Sequence, residues 1–262
     1  MKLTSSIILL IIINSISCNK VEVKKITAKS ENKSQTVRGN HASFYFSDTG
    51  LIHLCNAISN NNMTKIEKLV KAGVDLNSTS EEEMSPLLWS MIVPSCNIST
   101  YKKLLELGAS PNISIGSYHS PLAYATTYKD LDYLKLALKY GGDANLVTKH
   151  KEVTPIFSAI RPASMEAIKI LAKAGANLNY YNWTGYSILR SALALSYYDV
   201  ALLLIELGAD PLLQDKKGEI IIEFTLKLRY ERKHIESKDS ILRLKKIIQI
   251  CKDRGMEIDW DK

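Results

Sequence analysis

A short segment recurs along the chain, and its spacing constrains the fold more than any other feature. Each copy places a glycine directly after an apolar, helix-like stretch. The six copies are KAGVDLN (71–77), ELGASPN (106–112), KYGGDAN (139–145), KAGANLN (173–179), ELGADPL (206–212) and DRGMEID (253–259). Successive glycines, from Gly73 to Gly255, lie 35, 33, 34, 33 and 47 residues apart. A period of this length is typical of stacked repeats and not of one globular core.

Local signals predict two helices in each repeat. Apolar residues three and four positions apart precede each glycine, as at Ile66, Leu69 and Val70. Glycine ends that helix because it enters the left-handed conformation without steric cost. A second helix begins upstream, where Ser or Thr can cap it and proline can occupy its first position. Its starts are SPLLWS (85–90), SPLAYA (120–125), TPIFSA (154–159) and, more loosely, YSILRS (186–191). No repeat can bury its apolar face alone, so neighbours must stack.

These two motifs together resemble those of ankyrin repeats, which begin with T-P-L-H-x-A and end with G-A-D-x-N. The resemblance covers about residues 47–262. It implies an all-α ankyrin-repeat solenoid of about six helix-turn-helix units joined by hairpin-like loops, for which the segments 182–185 and 215–218 fit the family's D/N-x-x-G turn. The histidine of the helix start occurs only as His53. Leu88, Ala123, Phe157 and Leu189 stand in its place, so we expect apolar packing to hold those turns.

The first residues have the pattern of an export signal. Lys2 precedes an apolar run at 7–13, which is too short for a membrane-spanning helix of about 20 residues. The segment SISC (15–18) resembles the lipobox of bacterial lipoproteins, although Ser15 stands where leucine is usual, and this implies lipid attachment at Cys18. Cleavage nearby, with Cys18 unmodified, is the alternative. We therefore predict a signal peptide (1–17), a lipid-anchored flexible linker (18–45) and an ankyrin-repeat domain (46–262) with an extended C-terminal capping unit (about 218–262).

The leader also suggests a location. A signal peptide with a lipidated cysteine implies an exported, membrane-anchored lipoprotein that faces the periplasm. Asn19 follows the cysteine where an aspartate would favour the inner membrane, so the outer membrane is favoured. The basic linker at 19–38 could attract anionic lipid head groups, or it could be a solvated spacer.

The net charge of +7 lies in the two flanks of the chain. Residues 226–254 contain ten Lys or Arg and four Asp or Glu, whereas residues 39–225 contain sixteen basic and eighteen acidic side chains. Nucleic-acid binding would need a basic stripe along the repeats, so we expect none. The insertion at 226–240 lengthens the last repeat, and we interpret it as a charged end cap with a solvated outer face.

Residue patterns that carry catalysis or bind metals are missing from the sequence. The five histidines fall in different repeats without H-E-x-x-H spacing, and there is no phosphate-binding glycine loop. We expect no cofactor, no metal and no enzyme activity. Cys55, Cys96 and Cys251 are interpreted as small buried residues, with a Cys55–Cys96 bridge as the alternative.

Aromatic side chains give the candidate partner-binding residues, because Tyr and Trp bury a large area with few rotatable bonds. We predict exposure in loops or along the first helices, although packing between repeats could also explain many of these rings. The candidates are Trp89, Tyr118, His119, Tyr124, Tyr128, Tyr180, Tyr181, Trp183, Tyr197 and Tyr198.

The resemblance implies a non-catalytic, monomeric scaffold that binds another protein. A more specific hypothesis is an inhibitor, or immunity protein, for a toxin that acts in the periplasm. One alternative is an envelope protein that recruits a partner through its basic tail at 226–254. Another is an enzyme that uses the solenoid as a docking arm.

Overall fold

The computed structural model describes residues 41–80, 84–93, 95, 97–113, 120–147, 154–160, 164–182 and 184–260. These residues form twelve α-helices and two short 3-10 helices, together with two isolated β-bridges and no strand. The all-α prediction is confirmed. The predicted signal peptide and the linker up to residue 40, with Cys18, lie outside the described residues. Within the described ranges, no helix is both long and apolar enough to cross a membrane.

The chain divides into two compact units, Met1–Ile115 and Gly116–Lys262. The helices of the first are α1 (Thr49–Ser59), α2 (Met63–Lys71), α3 (Pro86–Ile92) and α4 (Ile98–Glu106). The helices of the second are α5 (Pro121–Ala125), α6 (Asp132–Lys139), α7 (Pro155–Ile160), α8 (Met165–Lys173), α9 (Ile188–Ala194), α10 (Tyr198–Glu206), α11 (Glu223–Glu231) and α12 (Lys238–Asp253).

Helix pairing follows the predicted pattern in both units. In the first unit, α1 packs on α2 and α3, and α3 packs on α4. In the second, α5, α7, α9 and α11 pack on one another in succession, and each also packs on the helix that follows it. Of the apolar residues that precede the repeated glycines, Leu134, Ile168, Leu204 and Ile247 are fully buried, whereas Leu69, Val70 and Leu138 are half-buried. The stack of helix pairs therefore supplies the core that no repeat has alone.

The six repeated glycines all end a helix in the left-handed region, with φ between 85° and 107°. At Gly108, for example, φ is 99°, and the next amide, that of Ala109, donates back to the Leu104 carbonyl oxygen at 2.9 Å. This closing hydrogen bond satisfies a carbonyl that would otherwise be unpaired at the helix end. The prediction that glycine stops these helices is confirmed.

Asparagines at the ends of the repeated segments join neighbouring repeats. In the second unit, Asn145 donates from Nδ2 to the Gly175 carbonyl oxygen at 2.9 Å and accepts from the Asn177 amide at 2.7 Å. Asn77 of the first unit makes the same pair of contacts with Gly108 and Ser110, at 3.2 and 2.8 Å. One side chain thus satisfies two backbone groups of the next loop, which explains why the segment ends in Asn.

Serine caps fix the register of the first helices. The hydroxyls of Ser85, Ser120 and Ser187 accept from the amides of Leu88, Ala123 and Arg190, at 3.2, 3.2 and 3.1 Å. The residue three positions after the cap therefore occupies the histidine position of the family motif.

This register confirms two sequence assignments and corrects two. Leu88 and Ala123 are buried at the histidine position, as expected, and Phe157 is half-buried. In the fifth repeat the position belongs to Arg190 and not to Leu189, because Ser187 is the cap. In the first repeat Asp48 is the cap and accepts from the Leu51 amide, so Leu51 holds the histidine position and His53 is exposed two residues further along α1.

The insertion at 226–240 forms the end of α11, a 3-10 turn (Lys233–Ile235) and the start of α12. Arg229 donates to the carbonyl oxygens of Leu193, at 3.0 Å, and of Ala194, which close α9. Further along, Arg243 pairs with Asp199 at the start of α10. The insertion is therefore docked on the preceding repeat as well as charged, which the sequence interpretation did not foresee.

Two cysteines lie in the core. Cys55 and Cys251 are fully buried free thiols, and burial raises the pKa of both. They pack as small apolar residues, as predicted. Cys96, the other half of the disulfide considered above, lies outside the described residues.

Candidate functional site

The loop between α8 and α9 is a tight hairpin that fixes the position of an exposed tyrosine. A bridge joins Tyr181 to Ser187, and the Asn182 amide donates to the Tyr186 carbonyl oxygen at 3.1 Å. The Asn182 Oδ1 accepts from the amides of Thr184 and Tyr186 at 3.1 and 2.9 Å. Tyr186 lies at the end of this hairpin, and 42 % of its surface is exposed.

Arg190 links this hairpin to the next repeat. Its guanidinium lies over the Tyr186 ring, 4.3 Å from the ring centroid, and its Nη1 donates to the Gly185 carbonyl oxygen at 3.0 Å. Its Nε donates to the Thr225 hydroxyl on α11 at 3.4 Å. A guanidinium suits this position because it can stack on a ring while its planar donors bind other groups.

Phe224 extends the exposed area on α11. It precedes Thr225, the residue that Arg190 contacts, and 72 % of its surface is exposed. We use the name aromatic–arginine surface for the exposed parts of Tyr186, Arg190 and Phe224. Tyrosine and arginine are prominent among the residues that dominate protein interfaces.

The hairpin between α10 and α11 repeats the same construction. The Asp215 Oδ1 accepts from the amides of Lys217 and Glu219, at 2.7 and 3.1 Å. A bridge joins Gln214 to Ile220, and Gly218 has a φ of 84°. Lys216 and Lys217 are exposed at its tip. Both predicted hairpin-like loops are thus present. The first presents an exposed tyrosine and the second presents two exposed lysines.

Trp89, one of the predicted partner-binding residues, belongs to the core of the first unit. It is 1 % exposed, and its Nε1 donates to the Cys55 carbonyl oxygen and to the Ser59 hydroxyl, both at 3.0 Å. The rings of Tyr45 and Phe46 pack against it, with centroids 5.3 and 6.0 Å away. The expected exposure is wrong for Trp89, because its ring fills the gap between two repeats.

Two other predicted residues are also buried. Tyr198 is 2 % exposed, and its hydroxyl donates to Glu236 at 3.0 Å. Tyr124 is 8 % exposed and stacks edge-on against Tyr128, with centroids 5.6 Å apart. Tyr128 in turn lies 4.9 Å from Tyr133. Exposure was expected from their helix positions, but contacts with neighbouring helices bury both rings.

The remaining candidates fall into two groups. Half-buried side chains are found at Tyr128, Tyr180, Tyr181 and Tyr197. Residues outside the described part of the chain are Tyr118, His119 and Trp183. Sequence reasoning missed all three members of the aromatic–arginine surface. The N-cap at Ser187 was the available signal for Arg190, since it places a cation at the family's histidine position.

A cavity of about 250 Å³ lies beside the start of α10 and is lined by Tyr197. Met165, Ser240 and Arg243 line its other walls. Small-molecule sites usually measure about 300–1,000 Å³ and have convergent polar groups, whereas here Arg243 is already paired with Asp199. Among the described residues, no three His, Cys, Asp or Glu side chains are placed to hold a metal ion.

Comparison with known families and structures finds similarity to ankyrin repeats over part of the chain. Residues 122–215 match the family model described as ankyrin repeats (3 copies). An ankyrin repeat domain from Acinetobacter baumannii AYE superposes with a TM-score of 0.61 at 23 % identity, over 76 % of this chain and 97 % of that one. The ankyrin repeat protein EF0377 gives a TM-score of 0.59 at 21 % identity, over 75 % and 96 %. At such identity, the likeness establishes the fold alone.

The sequence relatives are ankyrin-repeat proteins. The Escherichia coli K12 ankyrin repeat protein YahD is 25 % identical over 67 % of this chain and 89 % of that protein. Mouse ankyrin repeat and SOCS box protein 11 is 38 % identical over 33 % of this chain and 26 % of that protein. A fowlpox virus ankyrin repeat protein is 26 % identical over 39 % of this chain, which spans 36 % of the viral protein. This chain thus spans only about a third or less of the length of several relatives.

Proposed function

We propose that this chain, whose residues 122–215 match ankyrin repeats and whose fold is that of an ankyrin-repeat domain, binds another protein through its hairpin loops and first helices and catalyses no reaction. The aromatic–arginine surface is the observation that carries this proposal. Tyr186 and Phe224 expose 42 % and 72 % of their surface, so a partner could bury a large apolar area there. Ankyrin repeats typically serve as protein-binding scaffolds.

The geometry favours binding at this surface because one of its members is already fixed. Arg190 is held by the Tyr186 ring, the Gly185 carbonyl oxygen and the Thr225 hydroxyl. A preorganised side chain loses little conformational entropy when a partner arrives. The exposed Tyr186 ring on which it stacks can then bury its area at a lower entropic cost.

The same proposal includes export. The leader at 1–17 and the lipobox-like segment ending at Cys18 support an exported lipoprotein on the outer membrane, facing the periplasm. A rigid binding surface held at a membrane would suit an inhibitor of a toxin that acts in the periplasm. The toxin would be a protein, and inhibition would need only that the aromatic–arginine surface cover part of it.

Binding is tested with Phe224→Ser and the matched control Phe44→Ser, since Phe44 is also exposed, at 55 %, but lies in the first unit. The wild type and both variants are used to retain partners from solubilised membranes, and affinity is then measured for the partner that the wild type retains. We expect Phe224→Ser to weaken that affinity about 30-fold, the size of an interface hot spot. We expect Phe44→Ser to stay within about twofold of wild type. Equal losses in both variants, or none in either, would refute the proposed surface.

The toxin-inhibitor form has its own test. If a toxin gene lies beside this gene, co-expression of the two should restore growth when the toxin is sent to the periplasm. Phe224→Ser should reduce that protection, and Cys18→Ser should prevent incorporation of labelled fatty acid. Growth arrest despite abundant folded wild-type protein would exclude this form.

A further inference from the structure

The end cap of the second unit concentrates positive charge that the protein does not neutralise. Six exposed cations lie between residues 232 and 254: Arg232, Lys238, Lys245, Lys246, Lys252 and Arg254. None of them takes part in an ion pair with a described residue. The other cations in this range are engaged, because Arg243 pairs with Asp199 and Lys233 lies over the Tyr230 ring.

Helix α12 arranges part of this charge in a stripe. Lys238, Lys245 and Lys252 are seven residues apart, so they lie along one side of the helix at intervals of about 10 Å. The buried face of α12, which includes Leu244 and Ile247, points to α10 and α11. The lysine stripe lies away from this face, and it remains open to an external ligand.

Two exposed apolar residues accompany the lysines. Leu242 is 69 % exposed and lies about 160° around the helix from the buried Leu244. Ile235, in the 3-10 turn just before α12, is 72 % exposed. Neither residue contributes much to the core, so both apolar side chains are available to a ligand beside the lysines.

We propose that this face of the cap, formed by α12 and the 3-10 turn, binds the surface of an anionic phospholipid membrane. Each lysine near such a surface contributes attraction to the head groups. Leu242 and Ile235 would enter the boundary between head groups and acyl chains, as the apolar side chains of interfacial helices do. A soluble polyanion would use the lysines but would leave these two side chains without a role.

The charge distribution along the chain also fits a membrane surface. Residues 39–225 contain two more acidic than basic side chains, whereas residues 226–254 contain six more basic than acidic ones. An anionic surface would therefore attract the cap and not the repeats. The contact does not depend on lipid attachment at Cys18, and it can be tested in the absence of that modification.

The test measures cosedimentation of the full chain, carrying Cys18→Ser, with phosphatidylcholine vesicles that contain or lack phosphatidylglycerol. We expect binding to the anionic vesicles that weakens as salt is added. The triple variant Lys238→Gln, Lys245→Gln and Lys252→Gln should bind about tenfold less tightly or worse. The control changes Lys65, Lys68 and Lys71 of α2 to Gln, which removes the same charge from another exposed helix. It should stay within about twofold of the parent.

Leu242→Ser separates a membrane from other anionic ligands, since it leaves the charge unchanged. It should weaken vesicle binding about threefold or more while binding to polyglutamate stays the same. Equal loss in the two triple-lysine variants would overturn the proposal. Unchanged vesicle binding in Leu242→Ser would also overturn it and would indicate an acidic partner instead. Failure of the partner-binding test above would leave this result unaffected, because the two surfaces share no residue.

Discussion

The carboxylate of Glu236 accepts a hydrogen bond of 3.0 Å from the hydroxyl of Tyr198, a side chain that is only 2 % exposed. The same Oε1 atom accepts from the Ser196 hydroxyl, also at 3.0 Å. Ser196 has a φ of 57°, which is uncommon for a residue other than glycine. Burial raises the pKa of Tyr198, so its hydroxyl remains a donor at neutral pH. The insertion in the last repeat is thus attached to the turn between α9 and α10.

Glu236→Ala should lower the free energy of unfolding by about 2 kcal/mol, because it removes a charged acceptor from a buried hydroxyl. Urea unfolding followed by circular dichroism measures this change. Glu231→Ala is the control, since Glu231 is exposed on α11, and it should cost less than about 0.5 kcal/mol.

A double-mutant cycle tests whether the contact itself is responsible. Tyr198→Phe removes the hydroxyl alone, so in its background Glu236→Ala should cost about 1 kcal/mol less. If the two substitutions are strictly additive, the stability lost in Glu236→Ala does not come from its contact with Tyr198.

The asparagine contacts between repeats predict a second stability effect. Asn145→Ala should destabilise the protein by about 1–2 kcal/mol, because the Gly175 carbonyl oxygen and the Asn177 amide each lose a partner. The matched change is Lys173→Ala, an exposed residue at the end of α8, for which we expect no more than about 0.5 kcal/mol. Thermal or urea unfolding gives both values, and equal effects would argue against a role for the asparagine in joining repeats.

The helix ends could be predicted from sequence because their causes are local. Gly108 can take up a positive φ that other residues resist, and Ser120 can cap the amide three residues later. In the fifth repeat the predicted histidine position, Leu189, is one residue too early. The reason is that Ile188 stands where proline marks the start of three other helices. The hydrogen bond from the Arg190 amide to the Ser187 hydroxyl shows that Ser187 is the cap and sets the register.

The exposure of aromatic rings could not be predicted, because it depends on neighbours that are distant in sequence. Trp89 is buried by Tyr45, Phe46 and the end of α1, which precede it by 30 or more residues. Conversely, Phe224 is a large apolar residue on a helix, and yet it is exposed. Stacked repeats share one helical pattern, but the side chains that fill each gap differ from one repeat to the next.

A buried hydroxyl predicts a stabilising substitution. Thr154 is 3 % exposed, and its Oγ1 has no hydrogen-bond partner among the described residues. Phe157 occupies the histidine position of this repeat, so the polar partner that the family motif implies is absent. Thr154→Val should raise the free energy of unfolding by about 1 kcal/mol, because it removes an unsatisfied polar atom at nearly constant volume.

Ser120→Ala provides the opposite case for comparison. The Ser120 hydroxyl caps α5 by accepting from the Ala123 amide at 3.2 Å, so its loss should cost about 1 kcal/mol. Urea unfolding of the two variants should therefore give changes of opposite sign. Destabilisation by Thr154→Val would mean that its hydroxyl has a partner in solution, such as an ordered water molecule.

Alkaline pH should destabilise the second unit through Cys251. Burial raises the pKa of this thiol from 9.0 to about 11. The unfolded chain therefore loses the proton near pH 9, whereas the folded chain keeps it until about pH 11. Between these values unfolding releases a proton, so the stability contributed by the neutral thiol is complete below pH 9 and is lost as the pH rises towards 11.

Cys251→Ala should remove this dependence, although the variant is less stable at neutral pH because it leaves a small cavity. Urea unfolding under reducing conditions, at several pH values from 7 to 10.5, should show the gap between wild type and variant shrinking by about 2 kcal/mol. The slope is diagnostic because Cys55, Tyr101 and Tyr198, whose pKa values burial also raises, remain in both proteins. Parallel curves for the two proteins would mean that the Cys251 thiol titrates equally in the folded and unfolded states.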